Sequence, residues 1–329
     1  MEAKPVEEKA AEKLPVRHAR VNREEAGMRL DRFLADRNAG APMALIQRWL
    51  RTGQTRVNGA RAKGGYRLTE GEEIRVPPYQ PAVPETGNKV PEWAVREVAK
   101  RILWRDERVL VLDKPHGVPV HGGSGLEWGS VDAVRAWMRG EGGDATPELC
   151  HRLDKETSGC LLFGLDKMAV RRLTEAFRQG RVEKGYLVLV KGIPRADAGV
   201  IDRPLVKGEA RGGERMVIAG ETVGESARTR YRVLERFRDL ALLSAHPETG
   251  RTHQIRVHLQ WLGHPVAGDE KYGDFLLNRQ LRKLGLTRMF LHARHIVFPH
   301  PESGKDQAVE APLDGILTGV LAQLALRNG

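Results

Sequence analysis

Cys150-His151-Arg152-Leu153-Asp154-Lys155-Glu156-Thr157-Ser158-Gly159-Cys160-Leu161-Leu162 places a carboxylate among basic neighbours, follows it with Thr-Ser-Gly, and then turns apolar. The pattern reads as a polar loop entering a core strand. Arg152 precedes Asp154 by two residues, so in an extended segment both side chains point the same way. Thr157, Ser158 and Gly159 supply hydroxyls and a flexible backbone to hold the turn. Two readings stand at this point: Asp154 merely pairs with Arg152 and closes a loop, or it carries chemistry.

The surrounding chain favours an anionic partner. Its 329 residues hold 54 Lys plus Arg against 43 Asp plus Glu, a formal charge of +11. That length allows one large or two smaller cores, and that charge suits nucleic acid better than a small neutral ligand. No apolar run approaches the roughly 18 residues of a membrane span. The N-terminus has no apolar signal core. Two cysteines, Cys150 and Cys160, make neither a disulfide framework nor a zinc pattern. A reduced, cytoplasmic protein is expected.

Residues 1–25 carry six basic and six acidic side chains without a period and read as a loose tail. In 26–78, Leu30, Phe33 and Leu34 share one helical face. Leu45, Ile46, Trp49 and Leu50 repeat that spacing after Pro42, and Gly53 closes the second helix. Thr55–Gly59 and Glu73–Val76 read as strands. This module holds ten basic against five acidic residues. Arg48, Arg51, Arg56, Arg61, Lys63 and Arg67 could grip phosphates, although any one of them could equally belong to a solvated helix face. Pro81, Pro84, Gly87 and Pro91 mark 79–95 as a linker. Domain 96–325 then alternates apolar strands (Arg108–Pro115, Tyr186–Val190, Ser226–Phe237, Ala241–Ala245, Ile296–Phe298) with helical stretches such as Lys167–Gln179. The expected class is α+β: a large mixed, mostly antiparallel sheet flanked by helices, with a small N-terminal α/β module.

Two further segments could carry chemistry. Tyr186, in Glu183-Lys184-Gly185-Tyr186, offers a ring for stacking and a hydroxyl for proton handling, or is simply a strand-edge aromatic. The third is Pro247-Glu248-Thr249-Gly250-Arg251-Thr252-His253-Gln254-Ile255-Arg256-Val257-His258-Leu259, followed by Gly268-Asp269-Glu270-Lys271-Tyr272-Gly273. Here Thr252 is expected to cap a helix that buries Ile255, Leu259 and Leu262. Arg256 then projects from a rigid element, able to hold a bidentate salt bridge to a carboxylate. His253, His258 and His264 lack metal-ligand spacing, so no metal is expected. His121-Gly122-Gly123-Ser124-Gly125 lacks the Gly-x-Ser-x-Gly elbow of a hydrolase, and no phosphate-binding Gly-rich loop is present.

Together, His-Arg-Leu-Asp-x-x-Thr-Ser-Gly, the Lys-x-Tyr strand and Thr-Gly-Arg-Thr-His-Gln-Ile-Arg-Val-His resemble the motifs of the RluA-type family of RNA pseudouridine synthases over about residues 100–320. The front module, with its Arg-Leu-Asp start and Val-Asn-Gly strand end, resembles the RNA-binding module first seen in ribosomal protein S-four. That module, Val120–Leu126 and Phe290–Ala293 look closest to the branch acting on large-subunit (23S) ribosomal RNA. Cys160 and Phe163-Gly164-Leu165-Asp166 depart from the family pattern, which bears on packing behind the motif.

The resemblance implies an isomerase that flips out specific uridines of 23S ribosomal RNA, breaks the glycosidic bond, turns the uracil and rejoins it through carbon. It implies that Asp154 is the essential carboxylate, that Tyr186 stacks on the uracil and assists proton removal, and that Arg256 pairs with Asp154 and aims it. Arg152 fills the place of the flipped base. His151, Thr157, Arg251 and His253 are expected to contact the substrate, and Arg48, Arg51, Arg56 and Lys63 the RNA backbone. No cofactor, nucleotide or membrane is implied, and a monomer is expected. The rival is a ribosome-associated RNA-binding protein without activity, which has no need of Asp154, Tyr186 and Arg256 together. A serine or zinc hydrolase lacks its motif.

With no metal-ligand spacing, treatment with EDTA should leave pseudouridine formation unchanged in a tritium-release assay; clear inhibition would contradict this expectation.

Overall fold

The computed structural model describes residues 15–38, 41–79, 90–122, 127–142, 145–211 and 214–327. The chain divides into two compact units between residues 87 and 88. In the first, strands β1 (Arg17–Arg20), β2 (Arg56–Val57) and β3 (Glu73–Val76) form a small antiparallel sheet in the order β1-β3-β2, packed with helices α1 (Leu30–Arg37) and α2 (Met43–Thr52). Its core holds Leu30, Phe33, Leu34, Ile46, Trp49 and Leu50 from the two faces read by helical spacing, with Ile74 of β3, while Leu45 of the second face is only partly buried. Gly53 ends α2 with φ 71°, the left-handed geometry that glycine adopts freely. The half-exposed Arg29 side chain grips buried Asp31 in the first turn of α1 through a two-point bond at 3.1 and 2.7 Å.

Two boundaries differ from expectation. Residues 17–20, assigned to the tail, form β1, with Arg17 paired to Val76 and Arg20 to Glu73. An edge strand with three exposed basic residues has no apolar alternation to announce it, and its partner lies more than fifty residues away. The rest of the tail (1–14) and most of the linker (80–89) lie outside the described residues. The linker's last residues begin helix α3 (Glu92–Lys100), which buries only Ala94 and Val98.

The second unit runs β4 (Ile102–Arg105), β5 (Val109–Lys114), α4 (Ser130–Gly140), β6 (Glu148–Leu149), β7 (Ser158–Gly164), α5 (Lys167–Arg178), β8 (Glu183–Lys191) and β9 (Ala198–Asp202). It continues with the hairpin β10 (Leu205–Arg211) and β11 (Glu214–Ala219), then β12 (Arg228–Arg236), β13 (Leu240–Pro247), α6 (Gln254–Trp261), α7 (Phe275–Arg282), β14 (Leu291–Pro299), β15 (Asp306–Glu310) and α8 (Gly315–Leu326). Ten strands make one sheet, ordered β4-β5-β7-β14-β8-β13-β12-β9, with β15 on β14 and β6 on β7. Among the described residues its pairings are antiparallel except β7 with β14. Mixed and mostly antiparallel is therefore the architecture.

Alternation along β7 sorts the layers. Leu161 and Phe163 face a core with Val134 and Met138 of α4 and Ile255 and Leu259 of α6. Cys160 and Leu162 face the other side, with Leu173 and Ala176 of α5. A third cluster seats α7 and α8 under Leu189, Leu242 and Phe290. Both cysteines are buried and unpaired, and burial pushes their thiols up to about 12. Asp166, one of the departures behind the motif, caps α5 by accepting the Ala169 N–H at 2.8 Å and also binds Arg108 at 2.9 Å. Such a cap contributes about 1 kcal/mol. No helix among the described residues is long and apolar enough to cross a membrane.

One transverse row crosses the sheet from β5 to β12: Lys114, Gly159, Ala293, Tyr186, Ala245 and Tyr231 are successive partners. Gly159 is indispensable in it. Its φ is 106°, and an added Cβ would stand 2.2 Å from the Ala293 carbonyl oxygen. Gly159→Ala should therefore destabilise the protein by about 2–4 kcal/mol or more, read as a lowered urea midpoint. A midpoint equal to wild type would refute the role given to this contact.

Candidate active site

The Asp154 loop hangs from the start of β7 and is braced from beneath. The Thr157 N–H donates to the Asp154 carbonyl at 3.1 Å, closing a turn at Lys155-Glu156. The turn thus lies earlier than Thr157-Ser158-Gly159, because Ser158 and Gly159 already belong to β7. Lys114, fully buried, donates to the carbonyls of Pro115 (2.8 Å), Val118 (2.7 Å) and Lys155 (3.0 Å). Burial pulls its ammonium down to about 7. Ser158 accepts from Arg288 Nη2 at 2.6 Å and meets His292 Nδ1 at 2.8 Å. The far nitrogen of His292 reaches the Ala311 carbonyl at 3.2 Å. A chain of hydrogen bonds therefore runs from Arg288 through Ser158 and His292 to the accepting carbonyl of Ala311, with Arg288 held in turn by Asp314.

Helix α6 delivers the guanidinium. Thr252 is not its cap. The N-cap is His253, in left-handed geometry at φ 56°, and no side chain caps there. Gln254 does the work instead: its Oε1 accepts from Thr249 Oγ1 (2.7 Å) and the Arg251 N–H (3.0 Å), and its Nε2 donates to the Arg228 carbonyl (2.9 Å). Left-handed backbone is uncommon outside glycine and costs of order 1 kcal/mol or more. Here it turns the His253 ring toward Asp154, with Nε2 at 4.0 Å from Oδ2. The Val217 N–H donates to the Tyr272 oxygen (3.1 Å), whose hydroxyl meets His253 Nδ1 at 2.8 Å. Burial lowers the pKa of His253.

Arg256 is only 5 % exposed. Its bidentate partner is Asp269, at 2.7 and 2.9 Å, and Asp154 receives a single N–H at 3.3 Å. The expected two-point bridge therefore goes to another carboxylate. Burial opposes the charge of Arg256, but the bonds to Asp269 outweigh it and raise the guanidinium above its usual range. Asp269 is buried too, yet Arg256 and the N–H groups of Lys271 (2.9 Å) and Tyr272 (3.0 Å) hold it below the usual carboxylate range. The sequence pattern alone assigns Asp269 no role. Its signal is the pair of flanking glycines: a Cβ on Gly268 would meet the Arg288 carbonyl oxygen at 2.2 Å, and one on Gly273 the Asp269 carbonyl oxygen at 2.1 Å.

Tyr186 lies in the same cavity as Asp154, Arg152, Thr157, Arg251, His253 and Arg256, a space of about 360 Å³. A neighbouring cavity of about 970 Å³ shares Arg152, Leu153, Asp154, His253 and Arg256, so Asp154 sits where the two meet. Tyr186 is buried rather than at a strand edge, and burial, then the charge of Asp154, push its hydroxyl above the ordinary tyrosine range. Arg152 is exposed at the rim. Thr157 is buried in the wall. Arg251 is tied to the Ser226 carbonyl (3.0 Å) and to Glu225 (3.0 Å).

His151 is turned inward. Its Nε2 accepts the Leu162 N–H at 3.0 Å and its ring stacks on Phe177 at 5.0 Å. Burial takes it down to about 3, so it is a neutral strut for β7 as well as part of the cavity wall. His258 and His264 are committed apart from His253, to Thr229 and the Arg203 carbonyl, and to the Lys191 carbonyl. In the first unit Arg48, Arg51 and Lys63 are exposed, while Arg56 binds the Gly59 carbonyl at 2.9 Å.

A family model described as RNA pseudouridylate synthase matches residues 108–261, and an S4 domain model matches 28–74. A ribosomal large subunit pseudouridine synthase C of Pasteurella multocida is 43% identical over 311 residues, covering 92% of this chain and 92% of that one. Its namesake in Escherichia coli K12 is 42% identical over 307 residues, covering 92% and 95%. The solved structure of human RNA pseudouridylate synthase domain containing 4 superposes with a TM-score of 0.59 at 30% identity, over 70% of this chain and 95% of that one.

His151 and His292 both fold neutral, with burial holding them at about 3 and about 4. Unfolded, each would take a proton near pH 6.5. The stability they contribute is present above that pH and is lost as pH falls from about 6.5 toward 4. The urea midpoint should drop between pH 7.5 and pH 5, and the drop should shrink in His292→Gln. An identical drop in that variant would refute the assignment for His292.

Proposed function

The chain belongs to the RNA pseudouridylate synthase family, and from that premise we propose that it converts specific uridines of large-subunit (23S) ribosomal RNA to pseudouridine with Asp154 as the working carboxylate. It is an isomerase: the bond from ribose to N1 breaks, the uracil turns, the bond to C5 forms, and the C5 proton leaves. Every atom of the uridine is retained apart from exchanged protons, so the rearrangement needs no oxidant, reductant or group donor.

The observation that carries the reading is the convergence of Asp154, Tyr186 and Arg256 on one cavity large enough for an extruded base. Asp154 accepts from Arg256 through one oxygen only, which leaves the other for the substrate. Because Asp269 holds the guanidinium from behind, Arg256 positions Asp154 without reorganising during the reaction. Tyr186, a neutral phenol in its buried setting, stacks on the uracil and offers a hydroxyl rather than acting as a base. Exposed Arg152 enters the space the base leaves. Thr157, Arg251 and His253 shape the cavity and its rim. All of these groups come from one chain, so a monomer suffices, working in the cytoplasm.

Exposed Arg48, Arg51 and Lys63, with Arg56 beside them, make the front module the part that adds affinity through phosphates. The binding-only alternative is not favoured, since relatives above 40% identity over nine-tenths of the chain are named as synthases.

The first test is pseudouridine mapping on large-subunit ribosomal RNA from cells lacking the gene, by carbodiimide labelling and primer extension. Sites should vanish, and return with wild-type protein but not with Asp154→Asn. In purified form Asp154→Asn should lose all turnover while RNA affinity stays within a few-fold; near-normal turnover would sink the assignment. Replacing Arg48, Arg51 and Lys63 by alanine should reduce the slope of log affinity against log salt by about 2 and spare chemistry on a short stem-loop. An unchanged slope would exclude these side chains as phosphate contacts.

A further inference from the structure

On the face of β8 opposite Tyr186, three side chains from three adjacent strands converge: Glu183 of β8, His246 of β13 and His295 of β14. The Glu183 carboxylate stands 3.8 Å from His246 Nδ1 and 3.7 Å from His295 Nε2. The two rings lie 5.7 Å apart, and one ligand atom from each residue falls within 4.8 Å of the others. We propose that Glu183, His246 and His295 form a binding site for a divalent transition metal of the zinc class, separate from the catalytic centre.

Two features of the fold build this arrangement. The pairing of β14 with β8 slips between Ala293, opposite Tyr186, and His295, opposite Gly185. Such a bulge re-aims a side chain. Here it sends His295 to the face shared with Glu183, because alternate residues of β8 share a face. Gly185 then makes the cradle: a Cβ there would stand 2.0 Å from His295 Cε1 and 2.6 Å from its Nε2. A side chain at 185 and a ring at 295 cannot coexist as placed.

The donor chemistry also fits. Two imidazoles and a carboxylate are a ligand set that zinc accepts, with a fourth position left for water. Ser244 Oγ meets His246 Nε2 at 2.6 Å, which orients the ring and leaves Nδ1 for the ion, as outer-sphere partners do in metal sites. Ligand atoms of a tetrahedral ion sit about 3.4 Å apart. The Glu183 carboxylate already stands within 0.4 Å of that spacing from both nitrogens, at 3.8 and 3.7 Å, and its 57% exposed side chain can follow the two rings as they close on an ion. Lying behind Tyr186, the ion would tie β13, β8 and β14 together and take no part in the reaction, which agrees with the expected indifference of turnover to EDTA.

The test uses the full-length protein after chelator treatment, titrated with Co²⁺ for its d–d absorption and with Zn²⁺ against a chromophoric chelator. One equivalent should bind, and His246→Ala and His295→Ala should each weaken binding at least tenfold. Pseudouridine formation by these variants reports that they fold. If either variant loses activity as well as metal, Glu183→Gln decides, since it alters only an exposed carboxylate: weaker binding upholds the site and unchanged binding overturns it. Absence of stoichiometric uptake, or equal uptake by wild type and the double histidine variant, also overturns it.

Discussion

The close approach of Gly159 to the Ala293 carbonyl holds the molecule's working parts in place. It is the point where the sheet's parallel pair meets, with Ser158 and Gly159 set against His292 and Ala293. On one side of Ala293 the chain leaves β7 toward the Asp154 turn; on the other stands Tyr186. A side chain at 159 would force β7 and β14 apart and separate the carboxylate from the ring. Interiors are close-packed, so such a wedge is not absorbed locally.

Around that contact the structure stores buried charge in an ordered way. Lys114 lies below the Asp154 turn with three carbonyls, Arg288 behind it with Ser158 and Asp314, and Arg256 beside it with Asp269. Buried charges are costly unless paired and hydrogen-bonded; Arg288 and Arg256 are paired with Asp314 and Asp269, while Lys114 is held by neutral carbonyls and burial pulls its ammonium down to about 7. Such pairs add little to stability relative to an apolar core. What they supply is position, because a cation whose donors are already taken has few other geometries open to it. Asp154 receives an N–H from Nη1 of Arg256, the nitrogen that Asp269 does not bind. It is the least satisfied member of the network and the one that faces open space.

The two units are legible to different degrees for the same reason. In the front module, Leu30, Phe33, Leu34, Ile46, Trp49 and Leu50 carry a helical period in consecutive residues, and the helices stand where that period puts them. β1 is not legible, because its stability comes from backbone bonds to β3 and from no apolar pattern of its own. α3 hides similarly behind two small buried contacts. At the site, the motif residues Asp154, Tyr186 and Arg256 stand out by type and spacing, whereas Asp269 does not. It is one aspartate in a polar turn until Arg256 is seen against it. His151 shows the converse: a motif histidine that looked available for substrate spends its nitrogen on the backbone of Leu162.

Sequence by itself determined which residue types meet a basic, RNA-directed surface, where helices α1, α2, α5 and α6 lie, and that the sheet is largely antiparallel. Those properties follow from local period, turn chemistry and composition, which act over a few residues. Only the tertiary structure decided that Arg256 is clamped by Asp269 before it reaches Asp154, that Gln254 and not Thr252 closes the turn into α6, and that a slip in β14 turns His295 toward Glu183. Each of these depends on which strand lies beside which, and on the register between them. Register is settled by side-chain burial across the whole sheet, and no local stretch of the chain contains it.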